Sequence, residues 1–178
     1  MIRFRWFALL FVAVGLALAA EDTDQDILTK AFPPPEYLKL PLSRPLVSEL
    51  KAGETVDITI ATKHCNGGSI YSLHVTGPLP VEIGVRGQDK IATDSAQLPS
   101  IGRVSLNADE ALRLDRVLAF YRAGPPAWNC TLSSRISAAW KLASGPKNEE
   151  WVDMSCSVTE TTDSLPLWTI VDRAGKKP

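Results

Sequence analysis

Cysteine and histidine are scarce in this chain. Its three cysteines, Cys65, Cys130 and Cys156, and its two histidines, His64 and His74, show no recognised metal-ligand spacing. No Gly-x-Ser-x-Gly elbow occurs. Asn66-Gly67-Gly68 lacks the following Lys and Ser/Thr of a phosphate loop. Glu149-Glu150 lies at a turn and reads as a solvated pair. An excess of one charge is missing too, with 19 Lys plus Arg against 20 Asp plus Glu. That balance, with no basic cluster interleaved with aromatics, argues against a nucleic-acid partner. No repeat of solenoid period is visible. The expected catalytic set, metal set and cofactor are therefore none.

What the sequence does carry begins with an address. Arg3 and Arg5 precede an apolar run from Trp6 to Ala20, Ala17-Leu18-Ala19 supplies small residues, and Glu21 and Asp22 follow. This is the pattern of a cleaved export signal over residues 1–19. The run falls short of the roughly 20 residues a spanning helix needs. No later stretch is longer, so no membrane span is expected after cleavage. Without Arg3 and Arg5 the balance becomes 17 against 20, a charge near −3. Periplasmic or secreted localisation follows as the expectation.

An exported chain with three cysteines suggests one disulfide and one spare thiol. The strongest pattern in the sequence, Trp128 to Thr159, bears on the pairing. Ile136, Ala138, Trp140 and Leu142 alternate with Arg135, Ser137, Ala139 and Lys141. Ser144 to Asn148 supplies turn chemistry, and Val152, Met154, Cys156 and Val158 resume the alternation. An antiparallel hairpin with one buried face is predicted. With the turn centred near Pro146 and Lys147, Cys156 faces Ala138, and a regular strand holds Cys130 about 26 Å away. Either Cys130 folds back in an irregular approach, or Cys65 is one of the partners. Gly124, Pro125 and Pro126 favour the first, and Cys130–Cys156 is the pairing carried forward.

Residues 20–52 read as a proline-rich extended arm packed along the domain surface. Strands are predicted at 55–63 with Val56, Ile58 and Ile60 on one face, at 70–76 with Tyr71, Leu73 and Val75, and at Val81, Ile83 and Val85. Residues 88–102 read as a polar loop. Asn107 with Glu110 predicts a capping box, and Ala111, Leu114, Val117, Leu118 and Tyr121 share a helical face. The hairpin and a short strand, Leu167 to Val171, follow, then a frayed tail over 173–178. The fold class is α+β: an antiparallel sheet built from two hairpins, with one helix on its apolar face, forming a single domain over 53–172.

Ile58, Ile60, Cys65, Gly67, Tyr71, Leu73 and Val75, then Leu106, Leu114 and Leu118, carry a likeness. In their order they resemble a domain of unknown function of exported bacterial proteins. There a strand ends in a cysteine-containing glycine loop, and a hairpin, a helix and another hairpin follow. This chain has Gly68 and Ser69 where a second loop cysteine would stand. The resemblance implies an α+β domain and brings no activity with it.

Two functional readings follow. The first is a non-catalytic binding protein of the bacterial envelope, such as an inhibitor or immunity protein for a partner enzyme. By the hairpin's parity Trp151 shares the wet face with Asp153, and with Arg135 these form the candidate contact with another envelope or secreted protein. The plain counter-reading is that an arm residue such as Leu38 or Leu40 covers Trp151. The second reading is a small thiol- or metal-dependent enzyme on His64 and Cys65, with His74 approaching across the first hairpin.

Overall fold

In the computed structural model the chain divides after Pro34. The described residues are 40–64, 67–88, 98–124, 133–153 and 164–176. Residues 1–39, over which the export signal and most of the arm are expected, lie outside them, as do Cys65, Cys130 and Cys156.

Six strands form one antiparallel sheet: β1 (Thr55–His64), β2 (Gly67–Thr76), β3 (Val81–Gln88), β4 (Ser100–Leu106), β5 (Ser133–Leu142) and β6 (Gly145–Asp153). Their spatial order is β4-β3-β2-β1-β5-β6. Two helices, α1 (Ala108–Ala123) and α2 (Leu167–Gly175), and a 3-10 turn (Val47–Glu49) complete the described elements. Alternation decides the faces. Val56, Ile58, Ile60, Leu73, Val75, Val81, Ile83, Val85, Ile136, Ala138 and Trp140 are buried on the inner face with the helices. Asp57, His74, Glu82, Arg86 and Arg103 point the other way.

The α+β class and the antiparallel sheet agree with the sequence reading; the arrangement of two hairpins and one helix does not. A fourth strand stands within and beyond the expected 88–102 loop. Only Val104 and Leu106 mark its buried side, too short a pattern to read alone. The expected last strand at 167–171 is helical. Leu167, Ile170, Val171 and Ala174 are all buried, at the helical spacing of three, four and seven. The expected frayed tail is helical as far as Gly175, and Arg173 bonds Glu110 at 2.9 Å.

Helix α1 starts as predicted. The Asn107 side chain accepts from the Glu110 amide at 3.0 Å, and Glu110 accepts from the Asn107 amide at 3.1 Å. Glycines admit the packing beside it. A Cβ on Gly87 would lie 2.2 Å from the Tyr71 ring, and one on Gly102 would lie 2.3 Å from the Ala174 carbonyl oxygen. These gaps let Tyr71 and α2 close onto the sheet, where Trp168 meets Tyr71 edge-on at 5.3 Å between ring centres.

The hairpin turns earlier than the sequence suggests. Ala143 and Ser144 make the reversal, and Leu142 pairs with Gly145, so Ala138 faces Glu149 rather than Cys156. The shift is seven residues. An odd shift exchanges the faces of the second strand. Trp151 therefore joins Ile136 on the inner side, half-buried and stacked on Tyr121 at 6.1 Å, while Val152 is turned out and 52% exposed. The same shift removes the ground for placing Cys130 and Cys156 about 26 Å apart.

The lead-in is more than a surface arm from Leu46 onward, since Val47 and Leu50 are buried in the core. Two acids of opposite behaviour hold it. Asp115, fully buried on α1, accepts from the Val47 amide at 2.6 Å and the Ser48 amide at 3.0 Å, capping the 3-10 turn. Burial pushes its carboxyl above the ordinary range against those donors and Arg122. Glu149 sits under Arg122. Arg122 Nε donates to Glu149 Oε1 at 3.0 Å and Nη2 to Oε2 at 2.8 Å, with both side chains 11% exposed. Trp140 Nε1 donates to Oε2 at 2.8 Å, and Lys147 Nζ lies 3.0 Å from Oε1. The remaining donors of Arg122 reach the Ser43 and Pro45 carbonyls. Burial raises the Glu149 carboxyl, but Arg122, Lys147 and Trp140 outweigh it and hold the pKa below the ordinary carboxylate value.

A folded-state pKa below the unfolded one means that the unfolded chain binds more protons as the solution is acidified. The Glu149 contribution is thus complete above the ordinary carboxylate pKa and is lost as pH falls through the depressed one. Glu149→Gln is expected to cost about 3 kcal/mol at about pH 7, the scale of breaking a buried pair. The deficit should shrink at about pH 3, as read by urea unfolding at both values.

Candidate functional site: the open face of the sheet

Both helices pack on the inner face, so among the described residues nothing covers the outer one. Register builds a row across it: Arg103, Gly84, His74, Asp57, Ala139 and Asn148 stand side by side on β4, β3, β2, β1, β5 and β6. The next row brings Arg86, Ser72, Thr59, Ser137 and Glu150 into line. Gly84 has no side chain, and a Cβ built on it would meet nothing within 4 Å. The result is a cleft of about 590 Å³ centred on β3, bordered by Asp57, His74, Glu82, Arg86, Ser100 and Arg103.

His74 Nδ1 and Asp57 Oδ1 lie 2.6 Å apart. A carboxylate only accepts, so the proton sits on Nδ1 and donates to Asp57, leaving Nε2 as an acceptor in the neutral ring. Lys141 Nζ stands 3.9 Å from Asp57 Oδ2. Asp57 is thereby flanked by two donors. Arg86 and Arg103 are exposed, and neither side chain has a hydrogen bond or ion pair among the described residues. A second cleft of about 650 Å³ lies between the lead-in and the hairpin turn, and its acids are already engaged. Arg44 Nε holds Glu49 at 2.9 Å, and Glu54 accepts from the Lys51 and Ala143 amides at 2.9 Å each. Those two amides hold the Glu54 carboxyl below its ordinary pKa. The second cleft is a structural seam, and the first has cations to spare.

The residues expected at a partner contact are not brought together. Arg135 is on the outer face, paired with Glu150 at 3.1 Å, with both side chains well exposed. Trp151 and Asp153 alternate onto the inner face, so the trio does not form one patch. Trp151 stacks on Tyr121 and lies beside Arg122, whose guanidinium carbon is 6.0 Å from the ring centre; Leu40 of the arm packs against the same core, and Leu38 lies outside the described residues. The expected approach of His74 to His64 fails on register. His64 faces Gly67, and His74 lies seven positions further along β2, about 23 Å away. Among the described residues no group of three His, Cys, Asp or Glu side chains could hold a metal ion. Among them, too, no helix is long and apolar enough to cross a membrane.

No family model, curated protein or solved structure matches the chain.

Sequence reasoning passed over Gly84, Arg86 and Arg103. The available signal was a glycine in the middle of the Val81, Ile83, Val85 alternation, at an outward position where a strand loses stability by having no side chain.

Asp57→Ala is expected to leave the fold intact, costing under about 1 kcal/mol because the pair is solvated. It should shift the neutral His74 ring toward the Nε2–H tautomer. Long-range proton–nitrogen correlation of the His74 ring reads the change; an unaltered tautomer would contradict the assigned hydrogen bond.

Proposed function

We propose that this chain is an exported, non-catalytic binding protein of the bacterial envelope, an inhibitor or immunity protein being one concrete form. It engages another envelope or secreted protein through the open face of its sheet. The observation that supports this best is the outer face, six strands wide and uncovered among the described residues, with two exposed arginines beside a hollow over β3. Antiparallel sheets commonly leave one face to water, but that face is then filled with side chains that pair among themselves. Here Arg135 meets Glu150 toward β6, while toward β4 the side chains of Arg86 and Arg103 have no partner among the described residues.

Export is supported by the leader pattern of residues 1–19, and polypeptide rather than nucleic acid by the mixed signs around the cleft. A Cys130–Cys156 disulfide belongs to the same reading. The two cysteines are three residues before Ser133 and three after Asp153, the outer ends of β5 and β6. No cofactor enters the reading. The alternative of an enzyme on His64 and Cys65 gains nothing from His74.

Site-resolved photocrosslinking tests the proposal in periplasmic extract. A photoreactive residue at Thr59 or Ser137, on the outer face, is expected to give one adduct of defined mass. The same group at Asp109, exposed on α1, should give none. Adducts from Asp109 alone, or none from either outer position, would overturn the reading. Peptide mapping of the same protein without reductant is expected to return a Cys130–Cys156 peptide.

A further inference from the structure

We infer that the hollow over Gly84 is a subsite for an acidic side chain of a polypeptide partner, held by Arg103 and Arg86. This rests on the reading of the open face as a binding surface and states what that surface selects.

Gly84 is the starting point. A glycine inside a strand needs a reason, because it lowers stability relative to a residue with a side chain. Gly87 and Gly102 have one: a Cβ on either would strike Tyr71 or Ala174. Gly145 has another in its φ of 115°. Gly84 has neither, since its φ is not positive and nothing lies within 4 Å of its built Cβ. Two reasons for a bare strand position are left, the irregularity where the β3–β4 register shifts between Val85 and Arg86, and close approach by a further group, and it is the charges around the gap that favour the second.

The surroundings say what approaches. Arg103 stands directly opposite Gly84 on β4, and Arg86 lies two residues along β3, about 6.6 Å away. Two guanidiniums without carboxylate partners, facing one gap, match the forked geometry that receives a carboxylate or a phosphate. Glu82 lies two residues along β3 on the other side, and Asp57 closes the cleft beyond His74. A polyanion laid across the cleft would meet both acids. A polypeptide that sets one acidic side chain between the arginines avoids them, and a basic residue further along it would suit Glu82. Charge complementarity therefore favours a protein segment over nucleic acid or an anionic surface.

The test uses the full mature chain and a six-residue peptide of Ala and Ser carrying one Glu and one Lys four residues from it, with the Gln-for-Glu peptide as control. Titration is followed by the Gly84 amide and the Arg103 side-chain resonance. The Glu peptide is expected to shift both and to bind at least tenfold more tightly than the Gln peptide. Arg103→Gln should weaken it at least tenfold. Gly84→Val fills the gap without a clash, so it should raise the thermal unfolding midpoint and abolish the shift at Arg103; the raised midpoint separates lost binding from lost folding. Equal binding of the two peptides, or unchanged affinity in Arg103→Gln, would sink the inference. So would inorganic phosphate moving the same resonances at lower concentration than the peptide. If the outer-face crosslinks form while the peptides fail to discriminate, this inference falls and the binding-surface reading stands; if no outer-face crosslink forms, that reading falls whatever the peptides do.

Discussion

The guanidinium of Arg122 is where the fold is tied. It projects from the last turn of α1, where a cation also suits the helix dipole. Its donors are divided between the Glu149 carboxylate on the hairpin and the Ser43 and Pro45 carbonyls of the lead-in. Three segments far apart in sequence are thus fixed to one rigid plane. Trp140 and Trp151 place their rings 5.6 Å and 6.0 Å from its central carbon and keep the site largely dry. A lysine would supply the charge but not the fork, and could not serve the carboxylate and the two carbonyls in one geometry. Removing either partner would leave a desolvated ion, which is why the junction behaves as a unit.

That junction makes the molecule one-sided. The lead-in, α1 and the inner side of the hairpin meet at Arg122, and α2 closes over the β2–β4 end through Tyr71, Trp168 and the Arg173–Glu110 pair. Asp115 fastens the 3-10 turn from the same side. Every described covering element is therefore spent on one face. The other face is left with the alternate residues of six strands, and its chemistry is set by whichever side chains those positions carry.

How much of this was legible varies with the length of each pattern. Val56, Ile58 and Ile60, the Leu73 and Val75 pair, and Val81, Ile83 and Val85 gave three strands with their faces correct. Asn107 and Glu110 gave the start of α1. The β5–β6 hairpin was legible but its register was not. Ser144 to Asn148 offers five successive turn-forming residues, and the reversal uses Ala143 and Ser144 instead. Pro146 then sits in an edge strand, where a missing amide is tolerated. Since the error was odd, Trp151 and Val152 exchanged sides, and the expected contact residue became part of the packing. Leu167 to Val171 is apolar enough for a strand, and only Ala174, three residues beyond Val171, completes a helical stripe. Asp115 was the unread clue to the lead-in: an acid inside the Ala111, Leu114, Leu118 stripe needs buried donors, and Val47 and Ser48 provide them.

The outer rim of β6 closes the sheet without a neighbour among the described residues, so its free amides and carbonyls invite another ribbon. Its sequence answers with Pro146, Lys147, Glu149, Glu150 and Asp153 within nine residues. A seventh strand docking there would lose a hydrogen bond at the proline and meet the exposed charged side chains of Lys147 and Glu150. This border of the sheet is in that way a barrier to self-polymerisation, and copies of the chain brought close together are kept from fusing along it into fibrils.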